Sequence, residues 1–435
     1  MDDREQGSIR PDRRAIWRGL TAVIATTGLA AMGSPRMAQA RPAQVVTTGA
    51  QALVADGFAA LQGLRVGLIT NQTGRVGDAH LADLLHAAPQ VRLTALLAPE
   101  HGLRGSTEAG ASVADGRDRT GVPVCSLYGA NRAPTAAMLR DVDALVFDIQ
   151  DIGARFYTYI STMGLAMQAA ARRRIPFIVL DRPNPLGGDY VSGFALERPL
   201  KSFVGMYPIP IVHGMTVGEL AGMIKGRRWL ADLDALDLRV VRCAGWQRAM
   251  RWPETGLPWV ATSPNIPSFA AALSYPGIGV VGETAMNEGR GTGLPFSQFG
   301  APWLDAPKLA SELAQARLPG VLFEPTRYTP QPLPGIALNP RFAGEKINAV
   351  SLRVTSVSGY LPMEVGVHAL ALLQRQALFR GEPLLPARLN MFHAIAGTRR
   401  LHRLLDEGAT GDAIVSSWQR EVAEFRSMRR DYLVY

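Results

Sequence analysis

Ala144-Leu145-Val146-Phe147-Asp148-Ile149-Gln150-Asp151 is the stretch on which the fold turns. Its apolar residues do not alternate with polar ones, so a strand here must be covered on both faces, as in a parallel sheet flanked by helices. It then breaks abruptly into acids and amides. In open parallel sheets the chemistry collects at the carboxyl ends of the strands, which is where this break falls.

Working outward, similar runs recur at residues 65–70, 91–97, 123–127 and 176–180, with later candidates at 238–241 and 259–261. Between them, residues 78–87, 135–141 and 161–173 have helical composition, and Ser161 reads as an N-cap. The alternation predicts an α/β fold: a Rossmann-like parallel-sheet domain over 41–268. After Ser268 a Gly/Pro-rich loop region is expected through Pro302. A helix at 308–317, a Pro-studded stretch to Pro340, a strand at 348–354 and helices at 364–376 and 411–426 follow. These describe a smaller α+β auxiliary domain over 269–435.

Composition narrows the function classes. The chain has 435 residues, 47% hydrophobic and 19% charged, enough for two cores and unlike a disordered chain. Residues 1–40 read as a signal peptide: Arg13-Arg14 and Arg18 precede a short apolar run at 20–31, and Ala38-Gln39-Ala40 supplies a small-residue cleavage site. The paired arginines also permit the twin-arginine route, although such pairs are more often plain n-region charge. The run is too short to cross a bilayer, so stable membrane insertion is not expected and the protein should be exported, periplasmic or extracellular. Of the net charge of +9, two units lie within residues 1–40, as six arginines against four acids. The remaining excess is dispersed, without the basic, aromatic-interleaved block expected of a nucleic-acid binder. The two cysteines, Cys125 and Cys243, allow one bridge, but each adjoins a strand-like run where a buried free thiol is the simpler reading.

The polar strand ends carry the candidate site. Asn71-Gln72-Thr73-Gly74 holds too few glycines to cradle a dinucleotide, so no cofactor is expected. Pro99-Glu100-His101-Gly102-Leu103-Arg104 sets an acid and a histidine at a strand end. Glu100 there suits a general acid held against apolar walls, or a loop acid paired with Arg104. The other histidines lack ligand spacing, so no metal site is expected. In residues 148–159, Asp148, Gln150, Asp151 and Arg155 are too polar for simple packing, while Tyr157 and its aromatic neighbours offer a platform for a sugar ring. In Glu283-Thr284-Ala285-Met286-Asn287-Glu288-Gly289-Arg290-Gly291-Thr292, glycine-flanked Arg290 suits bidentate carboxylate recognition, and a plain flexible loop fits as well. No Gly-x-Ser-x-Gly elbow supports an esterase or amidase.

Taken together, seven segments resemble the exo-β-N-acetylmuramidase family: residues 67–74, 99–102, 148–159, 181–185, 213–219, 263–267 and 288–292. The resemblance spans nearly the whole chain after residue 40. It implies a Rossmann-like domain joined to a smaller auxiliary domain, with the active site in the cleft between them. The implied activity is release of N-acetylmuramic acid from non-reducing ends of peptidoglycan fragments, without a cofactor. The family's catalytic glutamate falls on Glu100 and the glutamate of its Glu-Gly-Arg-Gly-Thr motif on Glu288. Glu100 is then the expected acid, and Glu288 the nucleophile, base or charge stabiliser, with the substrate's own acetamido group as an alternative nucleophile. Asn71, His101, Arg104, Asp148, Arg155, Tyr157, Asn184, Asn265 and Arg290 are the expected substrate-binding residues. Arg290, then Arg155, then Arg104 are candidates to meet the lactyl carboxylate. A wall-binding protein that holds muropeptides without cleaving them would use the same cleft.

Overall fold

The computed structural model describes residues 45–435, apart from 106, 107, 109 and 112. The expected signal peptide and cleavage site lie outside the described residues. The described residues form one compact unit. It contains a seven-stranded sheet built from β1 (Arg65–Thr70), β2 (Arg92–Ala98), β3 (Gly116–Arg117), β4 (Pro123–Ser126), β5 (Ala144–Asp148), β6 (Phe177–Leu180) and β7 (Leu238–Val241). Their spatial order is β7-β6-β5-β1-β2-β4-β3, and only β3 runs antiparallel to its neighbour.

That order explains where the site must be. The chain runs outward from β1 to β2 and β4, then returns to β5 on the other side of β1. The strand order therefore reverses between β1 and β5, and a crevice opens at their carboxyl ends. Register places Thr70 beside Asp148 at this point. Every residue of β5 is buried, as its unbroken apolar run requires.

A second, smaller domain carries a three-stranded antiparallel sheet of β8 (Gln298–Ala301), β9 (Val321–Tyr328) and β10 (Ile347–Val354), with β10 central. The helix Ala306–Gln315 packs on it, and the helix Pro362–Arg380 packs in turn against Ala306–Gln315. The main hydrophobic cluster is continuous from Phe147 and Phe177 through Ile278 and Phe299 to Leu370 and Phe425, so both sheets share one interior.

Several local expectations are corrected. Residues 135–141 form turns rather than a helix, and 259–261 is not a strand. One isolated turn of helix does not repay its nucleation cost, and Leu139 buries itself without it. The helix expected from Ser161 begins at Tyr159, with Ser161 fully buried inside it. The expected helix at 411–426 is divided into Gly411–Ser417 and Gln419–Arg429. The expected loop after Ser268 is instead a 14-residue helix, Phe269–Gly282, capped by the Ser268 hydroxyl despite an internal Pro276. Gly277 has a packing reason: a β-carbon there would overlap the Pro362 carbonyl oxygen, so its absence lets the helix Pro362–Arg380 approach closely.

Cys125 and Cys243 are free thiols. They belong to opposite sides of the large sheet, on β4 and just beyond β7, which rules out the bridge the sequence allowed. Near β7, buried Asp181 accepts hydrogen bonds from the Thr216 hydroxyl at 2.7 Å, the Gly218 amide at 2.8 Å and the Tyr435 hydroxyl at 2.6 Å. Among the described residues, no helix is long and apolar enough to cross a membrane.

Candidate active site

β2 ends at Ala98, and Pro99 starts the turn that carries Glu100. His101 and Gly102 both adopt left-handed backbone, with φ of 71° and 77°. For histidine this conformation is strained, and such strain is characteristic of sites where the chain must aim a side chain. The aimed group is the Glu100 carboxylate. It accepts hydrogen bonds from the Thr158 hydroxyl at 2.6 Å and the Gly110 amide at 3.0 Å. Tyr128 shares the wall with it, and burial, with the Glu100 charge second, pushes the Tyr128 phenol up to about 12. The alternative pairing with Arg104 is not formed, because Arg104 binds Asp118 at 2.6 Å.

These groups face a cavity of about 330 Å³ lined by residues from both domains. Glu100, His101, Tyr128 and residues 156–159 border it from the parallel-sheet side. Ser263 and Asn265, near the end of that domain, and Tyr275, Glu283, Arg290 and Phe296 beyond it complete the wall. Its size is at the small end of ligand pockets and suits a single sugar unit better than a long glycan. The aromatic residues interlock: ring centroids of Tyr157 and Tyr159 lie 4.9 Å apart, Phe156 and Tyr275 5.1 Å, and Tyr275 and Phe296 4.8 Å. Such a cluster fixes a rigid apolar wall against which a pyranose can stack. Tyr159 is anchored by donating to the Thr262 carbonyl at 2.7 Å. Burial drives the Tyr157 and Tyr159 phenols far above their ordinary range, so both stay neutral donors.

Of the residues expected at the site, Glu100, His101, Tyr157, Asn265 and Arg290 line this cavity. The others are brought elsewhere. Asn71 is buried, its amide oxygen accepting the Thr73 amide at 3.0 Å. Asp148 is buried in a two-point ion pair with Arg182, at 2.6 and 3.0 Å. Asn184 bridges the Met215 carbonyl and the Leu186 amide. Arg155 is fully buried and donates to the Ile395 carbonyl at 2.9 Å, with burial pulling its guanidinium down to about 9. It thus fixes a residue of the cavity rim, since Ile395 is on the wall. These polar strand ends were expected to bind substrate, and their hydrogen bonds instead hold the loops that do line the cavity.

Glu288 also departs from expectation. It is buried, pairs with Arg290 at 2.7 Å and lines an adjoining cavity of about 360 Å³ with Asn339 and Arg341. Arg290 borders both cavities and lies 5.3 Å over the Phe296 ring. The second carboxyl group on the wall with Glu100 is Glu283, the C-cap of Phe269–Gly282. Burial raises its pKa, with Arg290 opposing. Sequence reasoning quoted Glu283 and Thr158 without choosing them, and did not single out Tyr128. Tyr128 follows the end of β4, so the strand-end rule would have found it; Glu283 was hidden by reading its helix as a loop.

Comparison with known proteins agrees with this architecture. Residues 66–270 match the family model described as exo-beta-N-acetylmuramidase NamZ, N-terminal, and residues 273–435 match its C-terminal counterpart. The peptidoglycan beta-N-acetylmuramidase NamZ of Bacillus subtilis (strain 168) is 38% identical over 419 residues, covering 94% of this chain and 98% of that protein. Two crystal structures of DUF1343 family proteins from Bacteroides fragilis NCTC 9343 are similar. One has a TM-score of 0.82 at 38% identity and covers 91% of this chain and all of that one. The other has a TM-score of 0.73 at 33% identity, covering 90% and 99%. With both family models matched in order and a relative aligned almost end to end, the chain belongs to the exo-β-N-acetylmuramidase NamZ family.

Proposed function

We propose that this protein is an exo-acting glycoside hydrolase that releases N-acetylmuramic acid from non-reducing ends of peptidoglycan fragments. Family membership supports the muramidase class, and the residues of the cavity support the finer reading. The observation that carries it is the position of the Glu100 carboxylate: it shares one small cavity with a second carboxyl group, an aromatic wall and an arginine. Hydrolysis of a glycoside needs two such groups, one to protonate the departing oxygen and one to act at the anomeric carbon. A cavity sized for one sugar favours removal of terminal units.

Glu100 was expected to be the proton donor. Two donors bond its carboxylate, from Thr158 and Gly110, and the Tyr128 phenol stands beside it. That arrangement suits a group that works as an anion, either as nucleophile, as base or as the stabiliser of developing positive charge. Among the three arginines ranked for the lactyl carboxylate, only Arg290 borders the cavity. Its Nη1 is engaged by Glu288, which leaves the other edge of the guanidinium to a substrate anion. Glu288 is thereby a positioning residue for Arg290. Export to the periplasm or cell exterior, suggested by residues 1–40, would bring the enzyme to this substrate.

The test is incubation of the full chain with a chromogenic muramoyl glycoside. The wild type should release the dye and Glu100→Gln should lose at least a thousandfold. No release by folded wild-type protein would overturn the reading and leave a wall-binding protein in its place.

A further inference from the structure

We propose that Glu283 is the catalytic proton donor, acting across the cavity from an ionised Glu100; the inference rests on the muramidase reading above. Three independent features carry it. Glu283 and Glu100 are the two carboxyl groups on the wall of the cavity, whereas Glu288 lines the neighbouring one and is held by Arg290. Glu283 caps the carboxyl end of the 14-residue helix Phe269–Gly282, where the unpaired carbonyls present partial negative charge and disfavour a carboxylate. No described residue forms an ion pair with it, in contrast to Glu288.

The charged groups around Glu283 act in both directions. Arg290 and Arg341 favour its ionised form, while Glu288 and burial favour the neutral acid, and burial is the largest influence. Tyr275 lies in the fields of Glu100, Glu283, Glu288 and Arg290 together, so this ring sits at the centre of the charge constellation. The asymmetry between the two wall carboxyls follows from their surroundings. Glu100 is furnished with hydrogen-bond donors, and Glu283 sits at a helix carboxyl end, near Arg290 and Arg341 but in an ion pair with no described residue. Paired acids with environments pushing them apart are how one site divides acid from anion.

In the step itself, the bond from the anomeric carbon to the bridging oxygen breaks. Its electron pair stays with that oxygen, which receives the proton from the Glu283 carboxyl group. Water supplies the oxygen that becomes the new anomeric hydroxyl, and the proton it releases restores the acid, directly or through solvent. The net change is addition of one water across the glycosidic bond.

A proton donor matters in proportion to how poor the leaving group is, which gives a test specific to this role. Purified full-length wild type, Glu283→Gln and Glu100→Gln would be assayed on two substrates. One is the disaccharide with N-acetylmuramic acid at its non-reducing end, and the other a dinitrophenyl muramoyl glycoside whose phenolate departs without help. Glu283→Gln should lose about a thousandfold on the disaccharide and less than tenfold on the aryl glycoside. Glu100→Gln should lose heavily on both. The ratio of the two rates does not depend on the fraction of folded enzyme, and Glu283→Asp, which retracts the carboxyl group, should show the same selective loss if the glutamine variant is too unstable to purify. Equal losses on both substrates for the Glu283 variants, or the selective pattern in Glu100→Gln instead, would overturn the assignment while leaving the muramidase reading intact. A folded wild type inactive on both substrates would overturn that reading itself.

Discussion

The hydroxyl of Thr158 donates to the Glu100 carboxylate across 2.6 Å, although the two residues are 58 positions apart in the chain. One stands beyond β2, the other at the start of the helix Tyr159–Arg173 that follows β5. These strands flank β1 on opposite sides, so the hydrogen bond spans the crevice where the strand order reverses. Thr158→Val should keep the fold and remove one donor from a charged acceptor. A neutral-to-charged hydrogen bond of roughly 1.5–3 kcal/mol predicts about a 10- to 100-fold fall in kcat, with KM changed far less. Steady-state kinetics on a muramoyl glycoside would check the split.

Arg290 gives a prediction about recognition. If its guanidinium meets the lactyl carboxylate, Arg290→Ala should raise KM for muramoyl substrates by roughly 10- to 100-fold, the scale of one charge-assisted pair. The matching glucosaminide, which lacks the carboxylate, should be handled no worse by the variant than by the wild type. Equal losses on both substrates would remove that role.

Asp148 and Arg182 make a stability prediction. Their two-point pair is buried, with side-chain exposures of 0% and 7%. Arg182→Met would strand a buried carboxylate and should cost about 3–5 kcal/mol, read as a lower midpoint in urea unfolding. Replacing both partners with apolar residues should recover much of that loss, because desolvation of two charges offsets most of their attraction.

Asp151 predicts a pH dependence. Burial raises its carboxyl from the ordinary 3.8 to about 7. An acid raised in the folded state adds stability that is fully present below the unfolded value and is lost as pH climbs through the folded one. Asp151→Asn lacks this dependence, so its stability relative to wild type should improve across that window, by on the order of 2–4 kcal/mol. Denaturant unfolding of both proteins at about pH 4 and pH 8 measures the difference.

The centre of the large sheet was legible because its strands are buried on both faces: the runs that became β1, β5 and β6 read as near-continuous apolar segments. The smaller domain was harder. Pro276, Gly277, Gly279 and Gly282 make the helix Phe269–Gly282 look like a loop, yet Gly277 is required where the helix approaches Pro362–Arg380, and Gly282 where the Glu288 side chain packs against it. Pro325 likewise disguises β9, and is tolerated because β9 is an edge strand paired only with β10. At the site, strand-end position and family motifs pointed to Glu100, but polarity alone does not separate a residue that faces substrate from one that fastens a loop. Asp148, Asn71 and Asn184 have the composition of ligand contacts and the hydrogen bonds of scaffolding.

Asp181 adds a constraint on the order of folding. It is buried beyond the end of β6, and one of its four hydrogen-bond donors is the hydroxyl of Tyr435, 254 residues further along the chain. The Tyr435 hydroxyl in turn accepts from the Cys243 amide at 2.8 Å. During synthesis the large sheet would emerge with this edge incompletely satisfied, and a segment made after the second domain would have to return to it. A contact of such long sequence separation carries a high loop-closure cost, which slows folding. The parallel sheet and its final fastening are thus separated in time by the making of the entire second domain.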